Sequence, residues 1–267
     1  MHGLDGRVGS TDKEMSIGEV VIIALAGLAA GTINTVVGSG TLITFPVLLA
    51  FGYAPVTANV SNTIGLVPGS VSGAIGYRRE LVGQRSRAIR LGTMSVLGGI
   101  AGAVLLLVLP ASAFEAVVPV FIALALVLIV VQPRINAWLA HRQIEVEGHR
   151  HATVAVPAAV LVVGVYGGYF GAAQGILLLG ILGVALAQDL QRTNGLKNVL
   201  AGLTNGVAGV YFAFAAHVDW GPAAIIAVTS IIGAQLGARY GRRLPPGALR
   251  ALIVVVGVSA IVRLVVG

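Results

Sequence analysis

The chain has 267 residues, of which 57% are hydrophobic and only 10% charged, against about 25% charged in a soluble domain. So little charge cannot clothe a globular surface, and the apolar excess runs the whole length, which excludes a sizeable soluble domain and makes the membrane part the whole protein. The net charge of +7 is not a nucleic-acid signal, because the arginines gather in loops between apolar runs, and the absence of cysteine excludes disulfides, thiolate metal sites and cysteine nucleophiles.

Asp5, Asp12, Glu14 and Glu19 precede the first apolar run, a poor pattern for a signal peptide, so residues 17–37 are expected to form a retained helix. A membrane span needs about 20 apolar residues. Six segments meet that need: 55–77, 89–109, 113–132, 192–216, 222–240 and 247–266. Two others, 17–52 and 152–186, are longer and interrupted by Val37-Gly38-Ser39-Gly40-Thr41 and by Gly171-Ala172-Ala173-Gln174-Gly175. The pieces beyond the breaks, such as 42–52, are too short to cross. Broken or re-entrant helices are expected there, with their free backbone groups buried in protein or facing water.

The order of segments repeats. Gly31, Asn62 and Gly73 match Gly167, Asn198 and Gly209 at the same spacings, which gives a first repeat over 17–132, a linker at 133–151 and a second repeat over 152–267. The loop holding Arg78, Arg79, Arg85, Arg87 and Arg90 corresponds in the second repeat to His217-Val218-Asp219-Trp220. The positive-inside rule puts the first loop in the cytoplasm and the second outside, while Arg239, Arg242, Arg243 and Arg250 return to the cytoplasm one segment later. Equivalent loops on opposite sides predict inverted repeats, with a cytoplasmic linker and, if each broken segment returns to its starting face, both termini outside. Inverted repeats with broken helices are a recurrent transporter design.

Polar residues within apolar segments are costly unless used or paired. They cluster at the breaks and in the segments that follow. The expected substrate-binding set is Asn34, Ser39, Gly40, Thr41, Asn59, Ser61, Asn62, Thr63, Gln174, Gly175, Asn194, Lys197 and Asn198. Their hydroxyls and amides, with the N–H groups freed at a helix start, suit a small oxyanion. Interhelical packing is the competing reading for each one. For Lys197 the alternatives are an anionic substrate, a pair with Asp189, or a side chain reaching the interface. Glu115, His217 and Asp219 sit at segment ends, so proton coupling through a buried carboxylate has no support. Glycine pairs four apart (Gly27/Gly31, Gly98/Gly102, Gly164/Gly168, Gly202/Gly206 and Gly233/Gly237) favour close helix packing. His141, His149 and His151 are expected in a solvated loop and not at a metal. No metalloprotease, hydrolase, Walker or dinucleotide motif is present.

The stretch from Ala30 to Pro46, through Asn34, Gly38, Ser39, Gly40 and Thr41, resembles the opening of the TauE/SafE family of membrane proteins. So do its continuation, Ala58-Asn59-Val60-Ser61-Asn62-Thr63 to Tyr77-Arg78-Arg79, and the second-half residues Gly167–Gly171, Thr193-Asn194 and Lys197-Asn198. The resemblance implies a transporter, often an exporter, of sulfite or small organosulfur anions such as sulfoacetate.

The expected fold is therefore an all-α, multi-pass transmembrane bundle of two inverted repeats in the cell inner membrane. The expected function is secondary transport of such anions by alternating access. A passive anion channel and a membrane assembly factor are the alternatives. The expected partners are a small anion and the lipid bilayer, not nucleic acid. No cofactor, catalytic residue or metal is expected, and a homo-oligomer is compatible with the sequence.

Overall fold

The computed structural model describes residues 15–142, 152–186, 188–241 and 246–266. The regular elements among them are all helices: α1 (Ile17–Val36), α2 (Thr41–Ala50), α3 (Pro55–Gly76), α4 (Arg85–Val108), α5 (Ala111–Arg142), α6 (Ala152–Tyr169), α7 (Gln174–Ala185), α8 (Leu190–Ala215), α9 (Trp220–Tyr240) and α10 (Pro246–Val266). Asp5, Asp12, Glu14, His149, His151, Arg242 and Arg243 lie outside the described residues. So do the side chains of His141 and Arg250.

Local chemistry sets the helix ends. The Ser16 hydroxyl accepts from the Glu19 N–H at 3.2 Å while the Ser16 N–H donates to Glu19 Oε2 at 2.9 Å. This reciprocal pair satisfies two donors at the start of α1. Pro55 opens α3, where a missing N–H costs nothing. Asp189 caps α8 by accepting from the Gln191 and Arg192 N–H groups at 2.8 and 3.0 Å. The six expected spans correspond to α3, α4, α5, α8, α9 and α10. Two helices outrun their apolar cores. α4 starts at Arg85, just after Gly83 takes a left-handed φ of 79°, and α5 continues through Pro133 to Arg142. Among the described residues, five helices are long and apolar enough to cross a bilayer: α1, α4, the Ala111–Arg134 part of α5, α8 and α9. The protein is a multi-pass membrane protein.

Both interrupted segments double back. A Cβ added to Gly40 would lie 2.6 Å from the Ala30 carbonyl oxygen, so α2 returns alongside α1 instead of continuing it. Beyond α2, burial first, and then the Asp219 and Glu19 carboxylates, push the Tyr53 phenol up to about 12. The chain has therefore come back to the end of the bundle where α1 began. At the other end α7 finishes near the start of α4, with Arg87 Nη1 donating to Gln188 Oε1 at 3.1 Å. α4 and α6 run parallel, since Gly98 meets Leu161 and Gly102 meets Val165. So α7 likewise returns to the end where α6 started.

Packing then interleaves the chain. α1 and α3 lie on α9, and α2 on α10; α6 and α8 lie on α4, and α7 on α5. The molecule is thus two bundles, α1–α2–α3–α9–α10 and α6–α7–α8–α4–α5, which meet chiefly along α3 and α8 and also along α5 and α10. The glycine pairs make the tight contacts. A Cβ at Gly31 would sit 2.3 Å from the Ser230 carbonyl oxygen, and one at Gly102 would sit 2.0 Å from that of Val165. The Gly202/Gly206 pair is the exception: an added Cβ at Gly202 would make only an ordinary contact with Ser70 at 3.5 Å, and nothing lies near Gly206. Thr32 Oγ1 adds a bond to the Gly233 carbonyl at 2.9 Å.

Candidate functional site

The site grows from the two breaks. Gly38, Gly171 and Ala173 take φ values of 89°, 78° and 58°. Left-handed backbone costs a residue with a Cβ roughly 1–2 kcal/mol, so Ala173, fully buried, is held there by its surroundings. The breaks touch backbone to backbone, with the Gly175 N–H donating to the Gly38 carbonyl at 3.0 Å. A Cβ on either glycine would lie 2.4 Å from the Cα of the other. Only glycine fits on both sides.

Around this contact the polar side chains converge. Asn62 Oδ1 accepts from the Thr44 hydroxyl, and its Nδ2 donates to Thr41 Oγ1 at 3.4 Å. Asn34 Nδ2 donates to Ser70 Oγ at 3.4 Å. Three donors from α8 meet the end of α1. Lys197 Nζ reaches the Asn34 and Thr35 carbonyls at 3.3 and 3.2 Å, and Asn198 Nδ2 reaches Thr35 O at 3.1 Å. Asn194 Nδ2 also donates to Thr35 O, at 3.4 Å, and to the Tyr77 hydroxyl at 2.9 Å. Lys197 is 0% exposed, so it neither reaches an interface nor pairs with Asp189, whose carboxylate is the α8 cap. It sits on the carbonyl end of α1, which carries the negative end of the helix dipole.

Two expected residues face elsewhere. Asn59 Nδ2 donates to the Tyr169 carbonyl at 3.0 Å, and Ser61 Oγ accepts from the Asp219 N–H at 2.9 Å, where α9 begins. Thr63 is buried on the same helix. These groups, with Asn62, Ser70 and Ser72, give α3 a buried polar face. Gln174 packs under Gly167, whose added Cβ would lie 2.4 Å from the amide nitrogen. Ser39 Oγ and Gln174 Nε2, one in each break, are buried without hydrogen-bond partners, as are the Asn59 and Asn194 amide oxygens. Burial of a donor without a partner costs roughly 1–3 kcal/mol. Ser39 and Gln174 thus leave one donor each, and Asn59 and Asn194 one acceptor each, in the buried polar cluster. The breaks are closed around these groups. A cavity of about 420 Å³ lies elsewhere, between α4, α5 and α6, and its lining of Leu105, Val117, Phe121, Val162 and Tyr166 is apolar.

The model of the Sulfite exporter TauE/SafE family matches residues 23–264, nearly the full length. The chain belongs to the TauE/SafE family. It is 27% identical over 256 residues to the probable membrane transporter protein ORF9 of Sinorhizobium sp, covering 94% of each chain. It is 24% identical over 244 residues to the probable membrane transporter protein YfcA of Escherichia coli strain K12, with 88% of this chain and 85% of that one covered. A probable membrane transporter protein of Haemophilus influenzae is 22% identical over 261 residues, covering 94% and 96%. No solved structure matches. The breaks and the α3 and α8 polar residues all fall within the matched TauE/SafE span.

The acceptors at the centre of the cluster could not be chosen from sequence. Thr35 takes three donors through its backbone carbonyl, which every residue possesses, and Tyr77 enters from the last position of the expected span 55–77. The available signal was position. Thr35 and Asn34 stand in the last turn before a glycine break, where carbonyls lose their helical partners.

Proposed function

We propose that this TauE/SafE chain is a secondary transporter that exports sulfite or small organosulfonate anions across the inner membrane. The observation that carries the reading is the meeting of the two breaks at Gly38 and Gly175, flanked by the ammonium of Lys197 and by the unsatisfied donors of Ser39 and Gln174. Ammonium, hydroxyl and amide N–H groups are the donors an oxyanion needs once its water is removed. The substrate class comes from the family description, and the binding chemistry agrees with it.

The mechanism proposed is alternating access by inverted repeats, 17–132 and 152–267. Its support is the matched packing: α1 on α9 answers α6 on α4, and α2 on α10 answers α7 on α5. The moving bodies are then the two interleaved bundles, sliding where α3 meets α8. The arginine-bearing end faces the cytoplasm by the positive-inside rule.

Labelled sulfite flux into proteoliposomes, with sulfate and sulfoacetate as competitors, tests the function. Saturable flux is expected, lowered about tenfold in Asn62→Ala and in Asn198→Ala, the loss that about 1.4 kcal/mol of one missing hydrogen bond gives. Flux that rises without saturation would make the protein a channel. Flux no greater than in empty vesicles removes sulfite as substrate.

A further inference from the structure

The connection from α3 to α4, residues 77–84, is a run of tight turns. The Arg78, Glu80 and Gln84 N–H groups donate to the Ile75, Tyr77 and Leu81 carbonyls at 3.1, 3.1 and 3.0 Å. Around it Arg78, Arg79, Arg85, Arg87 and Arg90 are all exposed. Among the described residues, the acids at this end of the bundle are Glu80, half-buried, and Asp189, whose carboxylate caps α8.

The same face carries apolar side chains in the open. Val82 is 70% exposed on the connection itself, and Ile89 is 61% exposed early in α4. A Cβ at Gly76 would lie 2.4 Å from that of Ala238, so α9 ends beside α3 and brings Arg239 and Tyr240, both exposed, to this face. Arginines among exposed aliphatic and tyrosine side chains suit the headgroup level of a bilayer. The positive-inside rule accounts for arginines on this side of the membrane, but not for Val82 and Ile89 standing exposed among them.

We propose that the α3–α4 connection is a binding surface for the headgroup of an anionic phospholipid. Charge complementarity selects the occupant: guanidinium forks bind phosphate oxygens bidentately, and a zwitterionic headgroup offsets its phosphate with its own cation. Val82 and Ile89 then meet the first methylenes of the acyl chains. Each basic residue near an anionic membrane surface is worth roughly fivefold in affinity.

The surface is bolted to α8. Gln84, 1% exposed, donates from Nε2 to the Glu80 and Arg192 carbonyls at 2.8 and 3.0 Å, and Arg192 Nη2 donates to the Val82 carbonyl at 2.9 Å. The Tyr77 hydroxyl, at the start of the connection, accepts from Asn194. A headgroup held here therefore steadies the part of α8 that bears Asn194, Lys197 and Asn198. Its effect on flux rests on the transport reading above, whereas the binding surface does not.

Binding is read on the purified full chain in neutral detergent with three soluble probes: dihexanoyl phosphatidylglycerol, dihexanoyl phosphatidylcholine and inorganic phosphate. Saturable binding at least tenfold tighter for phosphatidylglycerol than for either other probe is expected, weakening as salt is raised. Arg78→Gln/Arg79→Gln/Arg85→Gln should weaken it at least tenfold, and the three matching lysine substitutions should change it by no more than about threefold. Equal affinity for the two lipids overturns the proposal, as does unchanged affinity in the glutamine variant. Phosphate bound as tightly as phosphatidylglycerol would overturn the lipid and make this a site for the free anion. The wild-type comparison decides even if the glutamine variant does not fold. Sulfite flux is then compared in phosphatidylcholine vesicles with and without about 30% phosphatidylglycerol. Flux at least threefold faster with the anionic lipid is expected, and a negative surface repels the substrate, so the gain cannot come from anions gathering at the membrane. Equal saturable flux overturns the hold on α8 and leaves lipid binding standing. Absence of saturable flux in both compositions removes that hold together with the transport reading.

Discussion

At Gly38 and Gly52 the backbone takes the same left-handed turn, with φ of 89° and 84°, but the surroundings differ. Around Gly52 nothing lies within 4 Å of an added Cβ, so Gly52→Ala meets only the conformational cost, about 1 kcal/mol. At Gly38 the added carbon would press on Gly175 at 2.4 Å, and overpacking adds about 1–3 kcal/mol. Thermal unfolding in detergent should show Gly38→Ala clearly less stable than Gly52→Ala, with transport lost in the former and kept in the latter. Equal shifts for the pair would mean that the two breaks do not touch. The same contrast marks how far the site is legible residue by residue. The glycines, amides and hydroxyls of the cluster stand out in the sequence because polar groups are rare in an apolar chain. The pairing of Gly38 with Gly175 does not, because a backbone contact between distant segments leaves no trace in side-chain identity. Lys197 was visible as an anomaly, but its acceptors are main-chain atoms.

Helices are where the sequence speaks most directly. Apolar runs of membrane length mark α4, α5, α8, α9 and α10, and the glycine-rich interruptions mark the ends of α1 and α6. What periodicity could not show is which helix covers which. Lipid offers every apolar face an equally good neighbour, so partner choice rests on glycine contacts such as Gly31 on Ser230 and Gly102 on Val165. Those contacts cross from one half of the chain to the other. A prediction belongs at this scale. If the chain is cut within 143–151 and the halves are made separately, neither should assemble, because α1–α3 lack α9 and α10 while α6–α8 lack α4 and α5. Co-expression of the two pieces should restore a complex that survives size-exclusion chromatography in detergent. A stable, monodisperse first half alone would contradict the interleaved packing.

For the whole molecule the decisive surface is the seam between the bundles. Gly202 on α8 faces Ser70 on α3, and a Cβ at Gly202 would lie 3.5 Å from that of Ser70. That separation suits a disulfide. Because the chain has no cysteine, a Ser70→Cys/Gly202→Cys pair would act without background thiols. Oxidation should stop saturable flux at least tenfold, and reduction should restore it. Full flux in the oxidised protein would show that the bundles need not slide along this seam.

The interleaving also sets a timetable for biogenesis. α1, α2 and α3 leave the ribosome well before the helices that cover them, α9 and α10, are made. At usual elongation rates roughly 10–40 s separate the completion of α1 from the start of α9. During that interval the asparagines of α3 stand in or near the bilayer without their final neighbours. The insertion machinery must shelter them, and a nascent chain that stalls after the first repeat would present an unfinished bundle to membrane quality control.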